Sequence, residues 1–248
     1  SLFGSLVVLQ VKIAGVAFEN PLIAASGTFG FGREYQEFYP LSTLGGVSCK
    51  GITLQERPGN PPPRLAETPS GMLNSVGLQN PGVDHFIEED LPWLKQQGTV
   101  VIANIAGNTQ QDYCRMAEKL SESDVDMVEL NISCPNVKHG GVAFGTSCAS
   151  VEEITVAVRK YCRKPLIVKL SPNVADIGEI AAAAEAGGAD AISLINTLTG
   201  MRIDIRTRRP ILRNNTGGLS GPAVVPDASR RVWAAAAAPA RPGTGWGR

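Results

Sequence analysis

The chain has 248 residues, 43% of them hydrophobic, and its 23 basic and 23 acidic side chains leave no formal net charge. That length supports a sizeable core, in one α/β barrel or two small domains, and a single domain is the simpler expectation. The balanced charge gives no global field toward nucleic acid or an anionic membrane, and the longest apolar run falls well below the roughly 20 residues that cross a bilayer. The opening LFGSLVVLQVKIAG (2–15) lacks the basic start of a signal peptide and runs into a strand pattern, so a cytoplasmic protein is expected. Five cysteines, Cys49, Cys114, Cys134, Cys148 and Cys162, are odd in number and form no C-x-x-C pair, which fits reduced thiols rather than a disulfide framework or a zinc site. With only His85 and His139 available, no metal centre is expected.

From Leu22 onward one pattern repeats, an apolar strand-length run ending on a polar residue. The runs are LIAAS to Ser26, GGVSCK to Lys50, VVIAN to Asn104, MVELN to Asn131, PLIVK to Lys169 and AISLIN to Asn196. Helical periodicity lies between most of them, over 83–97, 109–122, 150–162 and 176–186. The third carries a Ser150/Glu153 capping box, and the last is stopped by Gly187 and Gly188. Strands alternating with helices predict parallel strands with right-handed crossovers, so that every exit points the same way. The economical architecture is a (β/α)8 TIM barrel with one polar rim, of which about six strand-helix units are present. A doubly wound sheet would bring an early Gly-rich turn that SGTFGFG (26–32) does not match.

Two stretches leave this rhythm. Residues 51–82 hold six prolines, and 52–56 is expected to pair with 64–67 as a hairpin lid around PGNPPP. Residues 200–218 carry Arg202, Arg206, Arg208, Arg209 and Arg213 alternating with Ile203 and Ile205, as in a solvated hairpin. GGLSG (217–221) reads as a loop of backbone donors suited to phosphate. After Val225 the character changes: seventeen of the last twenty-three residues are Ala, Arg, Pro or Gly. The domain is therefore expected to span 1–225, an incomplete barrel, followed by a disordered or aberrant tail from a truncated or out-of-frame message.

Chemistry concentrates at 128–141, VELNISCPNVKHGG. Val128, Leu130 and Ile132 alternate against Glu129 and Asn131, and Pro135 then removes a ladder donor, so Cys134 stands where a strand stops. Around it the rim offers Lys50 and Lys169 with Asn74, Asn104, Asn131 and Asn196. Carboxamides each bring a donor and an acceptor and suit a flat, amide-rich heterocycle, while strand-end lysines suit an anion or a ligand that becomes one. Singly, each has a plainer reading as a buried thiol, a solvated charge or a turn residue; six successive polar exits favour a site. A Schiff-base lyase or aldolase using Lys169, and an inactive truncated barrel, stay open on this reading.

The motifs ASGTFGFG (25–32), GNPPPR (59–64), SGMLNSVGLQNPG (70–82), ANIAG (103–107), ELNISCPNVKHGG (129–141), VKLSPN (168–173), INTL (195–198) and GGLSGPA (217–223) together resemble the catalytic subunit of class 1B dihydroorotate dehydrogenase. The likeness runs from about Val11 to Val225. It implies a barrel holding FMN at its rim and oxidising dihydroorotate to orotate in pyrimidine (UMP) biosynthesis. Cys134, rather than the serine of the membrane-associated class, would remove the C5 proton, with Lys50 between flavin and substrate. Asn74, Ser75, Val76, Gly77, Leu78, Asn131, Asn196 and Thr197 would hold the pyrimidine with Lys50. Ser26, Lys50, Gly51, Asn104, Asn131, Lys169, Ile195 and Gly221 would contact FMN, where a cation such as Lys169 offsets the charge that reduced flavin gains. The resemblance further implies a heterotetramer of two catalytic and two electron-transfer subunits, the latter carrying FAD and a 2Fe-2S cluster and passing electrons to NAD. The glycine-rich loops with which the family's last strands hold the FMN phosphate have no match here.

Overall fold

The structure is a computed structural model that describes residues 9–132 and 144–238. It opens on an antiparallel hairpin of β1 (Val11–Ile13) and β2 (Val16–Phe18). Its two loop residues, Ala14 (φ 47°) and Gly15 (φ 86°), are both left-handed, the geometry that matches strand twist. Next come β3 (Ile23–Ala24), β4 (Gly46–Ser48), β5 (Leu65–Thr68) and β6 (Gly71–Asn74). The predicted 83–97 helix is helical from α1 (Val83–His85) through a π-helical turn (Phe86–Asp90) to α2 (Leu91–Lys95). Regular alternation follows: β7 (Val100–Ile105), α3 (Gln110–Ser121), β8 (Met127–Asn131), α4 (Cys148–Arg159), β9 (Leu166–Lys169), α5 (Ile177–Ala186) and β10 (Ala191–Ser193). The chain then forms β11 (Leu198–Met201), β12 (Ile203–Asp204), β13 (Arg209–Pro210), β14 (Thr216–Ser220) and α6 (Val225–Ala237).

Six strands make the central sheet in the order β10-β9-β8-β7-β4-β3, every neighbouring pair parallel. These are the six predicted runs. Apolar residues on their outer face, among them Val101, Val128, Leu130 and Val168, pack under helical residues such as Met116, Leu120, Ile154, Val158 and Ile180 in one buried core. The sheet is curled. Ser48 on β4 and Ser193 on β10 both bond the Glu129 carboxylate, at 2.6 and 2.7 Å. In a flat sheet those strands, four spacings of about 4.8 Å apart, would sit roughly 19 Å from each other. The half-barrel that results is part of a (β/α)8 barrel, as expected.

Local chemistry accounts for the helix ends. Thr109 caps α3 through a capping box with Asp112, and Asp176 caps α5 by accepting from Gly178 and Glu179 N–H groups. The α4 cap differs from the prediction: Ser147, three residues earlier than Ser150, accepts from the Ser150 N–H, and the helix starts at Cys148.

Three expectations require correction. Residues 52–56 do not pair with 64–67; the hairpin is β5 with β6, and Ile52 instead bridges Ile105. Its loop is Pro69-Ser70, where proline presets φ and Ser70 takes φ 55°, a better turn than PGNPPP provides. Residues 217–221 are not an anion loop, because β14 runs through them between β11 and β6. The stretch after Val225 is helical as far as Ala237, not unstructured. Alanine has the highest helix propensity, Pro226 sits in the first turn where its missing N–H is harmless, and Asp227 pairs with Arg230 and Arg231 one turn on. Ala234 and Ala235 seat this helix on the main core. The expected solvated hairpin at 200–218 does form, with β12 on β13 and Ile205 88% exposed at its tip.

Candidate active site

Strand alternation sorts the barrel interior into layers. At the floor, Phe18, Ile102, Met127 and Ile167 form an apolar plug beneath which β1 and β2 close the barrel. Moving two residues along each strand replaces Ile102 with Asn104, Met127 with Glu129 and Ile167 with Lys169, and one step further Glu129 gives way to Asn131. Above the plug the interior is therefore polar, and it opens into a cleft of about 940 Å³ at the strand exits. That volume is at the upper end for small-ligand sites and suits two stacked ring systems.

A chain of carboxamides crosses the cleft floor. Asn104 Nδ2 donates to Glu129 Oε2 (2.6 Å), Asn131 Nδ2 to Asn104 Oδ1 (3.4 Å), and Asn196 Nδ2 to Asn131 Oδ1 (3.1 Å). Asn196 Oδ1 in turn accepts from the Thr197 N–H at 2.8 Å. Two lysines flank this chain. Lys169 Nζ donates to Ser26 Oγ at 3.2 Å. Burial first, and the Arg64 guanidinium second, hold the Lys50 ammonium below the ordinary lysine range, so it gains from an anion placed beside it.

The wall opposite the strands is the 74–78 loop that leaves β6. Gly77 (φ 78°) and Leu78 (φ 57°) are both left-handed, and for leucine that conformation is strained. Asn80, 5% exposed, fixes the turn. Its Oδ1 accepts from the Thr53 and Gly82 N–H groups at 3.0 and 2.9 Å, while Nδ2 donates to Leu78 O and Thr53 Oγ1 at 2.7 and 2.8 Å. Asn60 secures the other flank, donating from Nδ2 to Ser75 O at 2.8 Å and from its backbone N–H to Val76 O at 2.9 Å. Opposite, β14 passes so close that a Cβ on Gly218 would lie 1.9 Å from Thr197 Oγ1.

Most of the predicted site residues meet in this one cleft. Ser26, Lys50, Gly51, Asn104, Asn131 and Lys169 line it, as do Asn74, Ser75, Val76, Gly77, Leu78, Asn196 and Thr197. Ile195 and Gly221 do not; Gly221 lies past the end of β14 against Ser70 and Gly71. Cys134 falls outside the described residues. Burial raises the thiol pKa of Cys114 and Cys162, and burial followed by the Asp90 and Glu129 carboxylates raises that of Cys49, so none of these three is a ready base. Among the described residues no cluster of three or more His, Cys, Asp or Glu side chains could hold a metal ion, and no helix is long and apolar enough to cross a membrane.

Sequence reasoning passed over several residues. Asn173 lines the cleft and clips the segment entering β11, donating to Thr197 O and accepting from the Thr199 N–H, both at 3.1 Å. Its signal was the VKLSPN motif. Asn80 lies within SGMLNSVGLQNPG (70–82), and Glu129 shares a strand face with Asn131.

Parallel strands whose exits converge on a carboxamide-floored, lysine-flanked cleft define a (β/α)-barrel protein with its ligand site at the carboxyl ends of the strands. The sequence matches the family described as dihydroorotate dehydrogenase over residues 8–240, and the chain belongs to that family. It is 61% identical over 239 residues to the Alkaliphilus oremlandii protein named dihydroorotate dehydrogenase B (NAD(+)), catalytic subunit, covering 96% of this chain and 79% of that one. Proteins of the same name from Petrotoga mobilis (55% identity, 90% of this chain and 75% of the relative) and Thermoanaerobacter pseudethanolicus (54%, 96% and 79%) are similarly close. This assignment sets aside the lyase reading of Lys169, and the family match continues past Val225 through α6.

Proposed function

We infer that this chain oxidises dihydroorotate to orotate in pyrimidine biosynthesis, working with FMN as the catalytic subunit of a class 1B, NAD-linked dihydroorotate dehydrogenase. One observation carries the reading: Asn104, Asn131 and Asn196 form a continuous carboxamide floor between Lys50 and Lys169 in a single cleft. Pyrimidines and the flavin ring are both flat and rich in amide groups, and orotate adds a carboxylate. The donor set fits them. Ser75, on the cleft wall, has a buried Oγ with no hydrogen-bond partner among the described residues, as expected of a group that a ligand satisfies.

FMN, when bound, supplies the hydride acceptor. The chain's residues do the rest of the work. Ser26, Gly51, Asn104, Asn131 and Lys169 hold the cofactor, Lys169 as a fixed positive charge. Asn74 to Leu78, with Asn131, Asn196 and Thr197, orient the pyrimidine so that one face of its ring is presented. Lys50, partly stripped of water, draws the substrate carboxylate and keeps it charged. Cys134 takes the proton from C5. The relatives' shared name, a catalytic subunit acting with NAD(+), supports a second subunit, for which FAD and a 2Fe-2S cluster supply the electron route, in the cytoplasm.

The test is the visible spectrum of the chain after incubation with FMN and desalting, followed by anaerobic addition of dihydroorotate. Retained yellow colour that bleaches supports the reading. A colourless eluate overturns FMN binding by this chain, and retained colour that does not bleach overturns the substrate.

A further inference from the structure

Ser171 follows Lys169 by two residues at the exit of β9. Alternation sends Leu170 outward into the core and turns Ser171, like Lys169, toward the cleft that both residues line. Ser171 is only 8% exposed. Its hydroxyl oxygen accepts two hydrogen bonds, from the Asn173 backbone N–H at 3.2 Å and from Asn173 Nδ2 at 3.3 Å. The sense of the second bond is fixed from outside the pair. Asn173 Oδ1 accepts from the Thr199 N–H and Nδ2 donates to the Thr197 carbonyl, both at 3.1 Å, so turning the amide end for end would set donor against donor and acceptor against acceptor. Both of those partners are backbone groups, each with one polarity. Nδ2 is therefore the atom beside Ser171, and the serine has to accept from it.

A hydroxyl offers two lone pairs and one proton. With both lone pairs facing Asn173, Ser171 has only its proton left to give, and no acceptor for it stands among the described residues. A donor buried this deeply costs free energy unless its proton is taken, and the open side is the cleft. We propose that Ser171 is a ligand-binding residue whose hydroxyl, held by Asn173 as a pure donor, is aimed at a ring carbonyl of the flat heterocycle in the cleft. Flavin and pyrimidine both carry such carbonyls, at C2 and C4. The neighbours fit either ring: Lys169, two residues down the strand, is the positive charge beside the flavin, while Asn196, whose N–H bonds the Leu170 carbonyl at 3.0 Å, and Thr197 hold the pyrimidine. The proposal deepens the FMN and dihydroorotate reading of the cleft and rests on it.

Sulfur accepts hydrogen bonds more weakly than oxygen, so exchanging the contacted carbonyl for a thiocarbonyl reveals the bond. FMN and orotate, each with its 2-thio and 4-thio analogues, are titrated into the full chain and into Ser171→Ala, with flavin fluorescence reading the first set and calorimetry the second. At least one thio analogue is expected to bind the parent about three- to tenfold more weakly than its oxygen form, the worth of one neutral hydrogen bond, and to lose that penalty in Ser171→Ala. Whether it is a flavin or a pyrimidine analogue tells which ring Ser171 contacts. A purely structural serine behaves differently: its loss weakens every ligand by a similar factor and leaves each thio penalty as it is in the parent. That result overturns the proposal. Should Ser171→Ala fail to fold, Ser171→Cys, of similar size and with only a weak donor, takes its place and is read the same way. If the parent binds FMN and orotate but no thio penalty depends on Ser171, this proposal alone falls; if the parent binds neither, the reading of the cleft falls with it.

Discussion

Replacing Asn80 with alanine tests whether the ligand wall is held as the structure shows. Four hydrogen bonds disappear, and two of them leave the buried backbone N–H groups of Thr53 and Gly82 without an acceptor. An orphaned buried donor costs about 1–3 kcal/mol, and Leu78 O and Thr53 Oγ1 lose a donor as well, so the variant should be about 2–4 kcal/mol less stable. For a domain of this size each kcal/mol moves the midpoint about 2–4 °C, which predicts a fall of roughly 5–15 °C in a thermal melt followed by circular dichroism. The same change frees Leu78 from its left-handed conformation, because the hydrogen bond to its carbonyl is what holds the strained turn closed. Orotate affinity, measured by calorimetry well below the melting range, should therefore drop about tenfold. A variant that melts within about 2 °C of the parent refutes the assigned bonds. One that melts early yet binds orotate normally refutes the link between this knot and the ligand wall.

Other consequences can be checked in the same assays. Gly218→Ala places a Cβ 1.9 Å from Thr197 Oγ1, so Thr197 must move; overpacking of about 1–3 kcal/mol and at least a tenfold loss of orotate affinity are expected, and unchanged affinity would remove Thr197 from the ligand site. Because the Lys50 pKa is lowered, its proton leaves at a pH below the usual lysine value of about 10.4, and an anion bound beside it favours the protonated form. Orotate affinity should thus hold near neutrality and fall as pH rises through that lowered value. Lys50→Gln should bind orotate more weakly and lose the alkaline fall, so an identical pH profile in the variant would sink this assignment. Activity should rise with pH as the Cys134 thiol, with an ordinary pKa of about 8.5, ionises, and Cys134→Ser retaining full activity at neutral pH would exclude it as the base.

The barrel strands were legible because parallel strands under helices leave a simple trace, an apolar run followed by a polar exit, and all six exits were read correctly as one rim. Side chains of Asn104, Asn131 and Asn196 could be grouped from that alone. Elements outside the repeat were read less well, each for a physical reason. The prolines of PGNPPP suggest the lid hairpin's turn there, but register follows turn geometry, and Pro69-Ser70 offers the two-residue turn with a left-handed second position. Helix α6 was hidden by its own composition, since a run of alanines resembles low complexity and is also the strongest helix former. Gly217 and Gly218 suggest a loop because glycine weakens strands; here its lack of a side chain is what lets β14 lie against Thr197 and Asn74.

Glu129 marks the limit of reading by local pattern. Alternation put it on the same face as Asn131, but its meaning depends on Ser48, 81 residues earlier, and Ser193, 64 residues later. Those two bonds tie strands at opposite sides of the half-barrel to one carboxylate, and Asn104 bonds the same group, so the curl of the sheet and the first bond of the carboxamide floor meet at one point. Straightening the sheet would withdraw Ser48 and Ser193 from Glu129 and leave its carboxylate buried with Asn104 alone, a cost that a local pattern of alternating residues does not reveal.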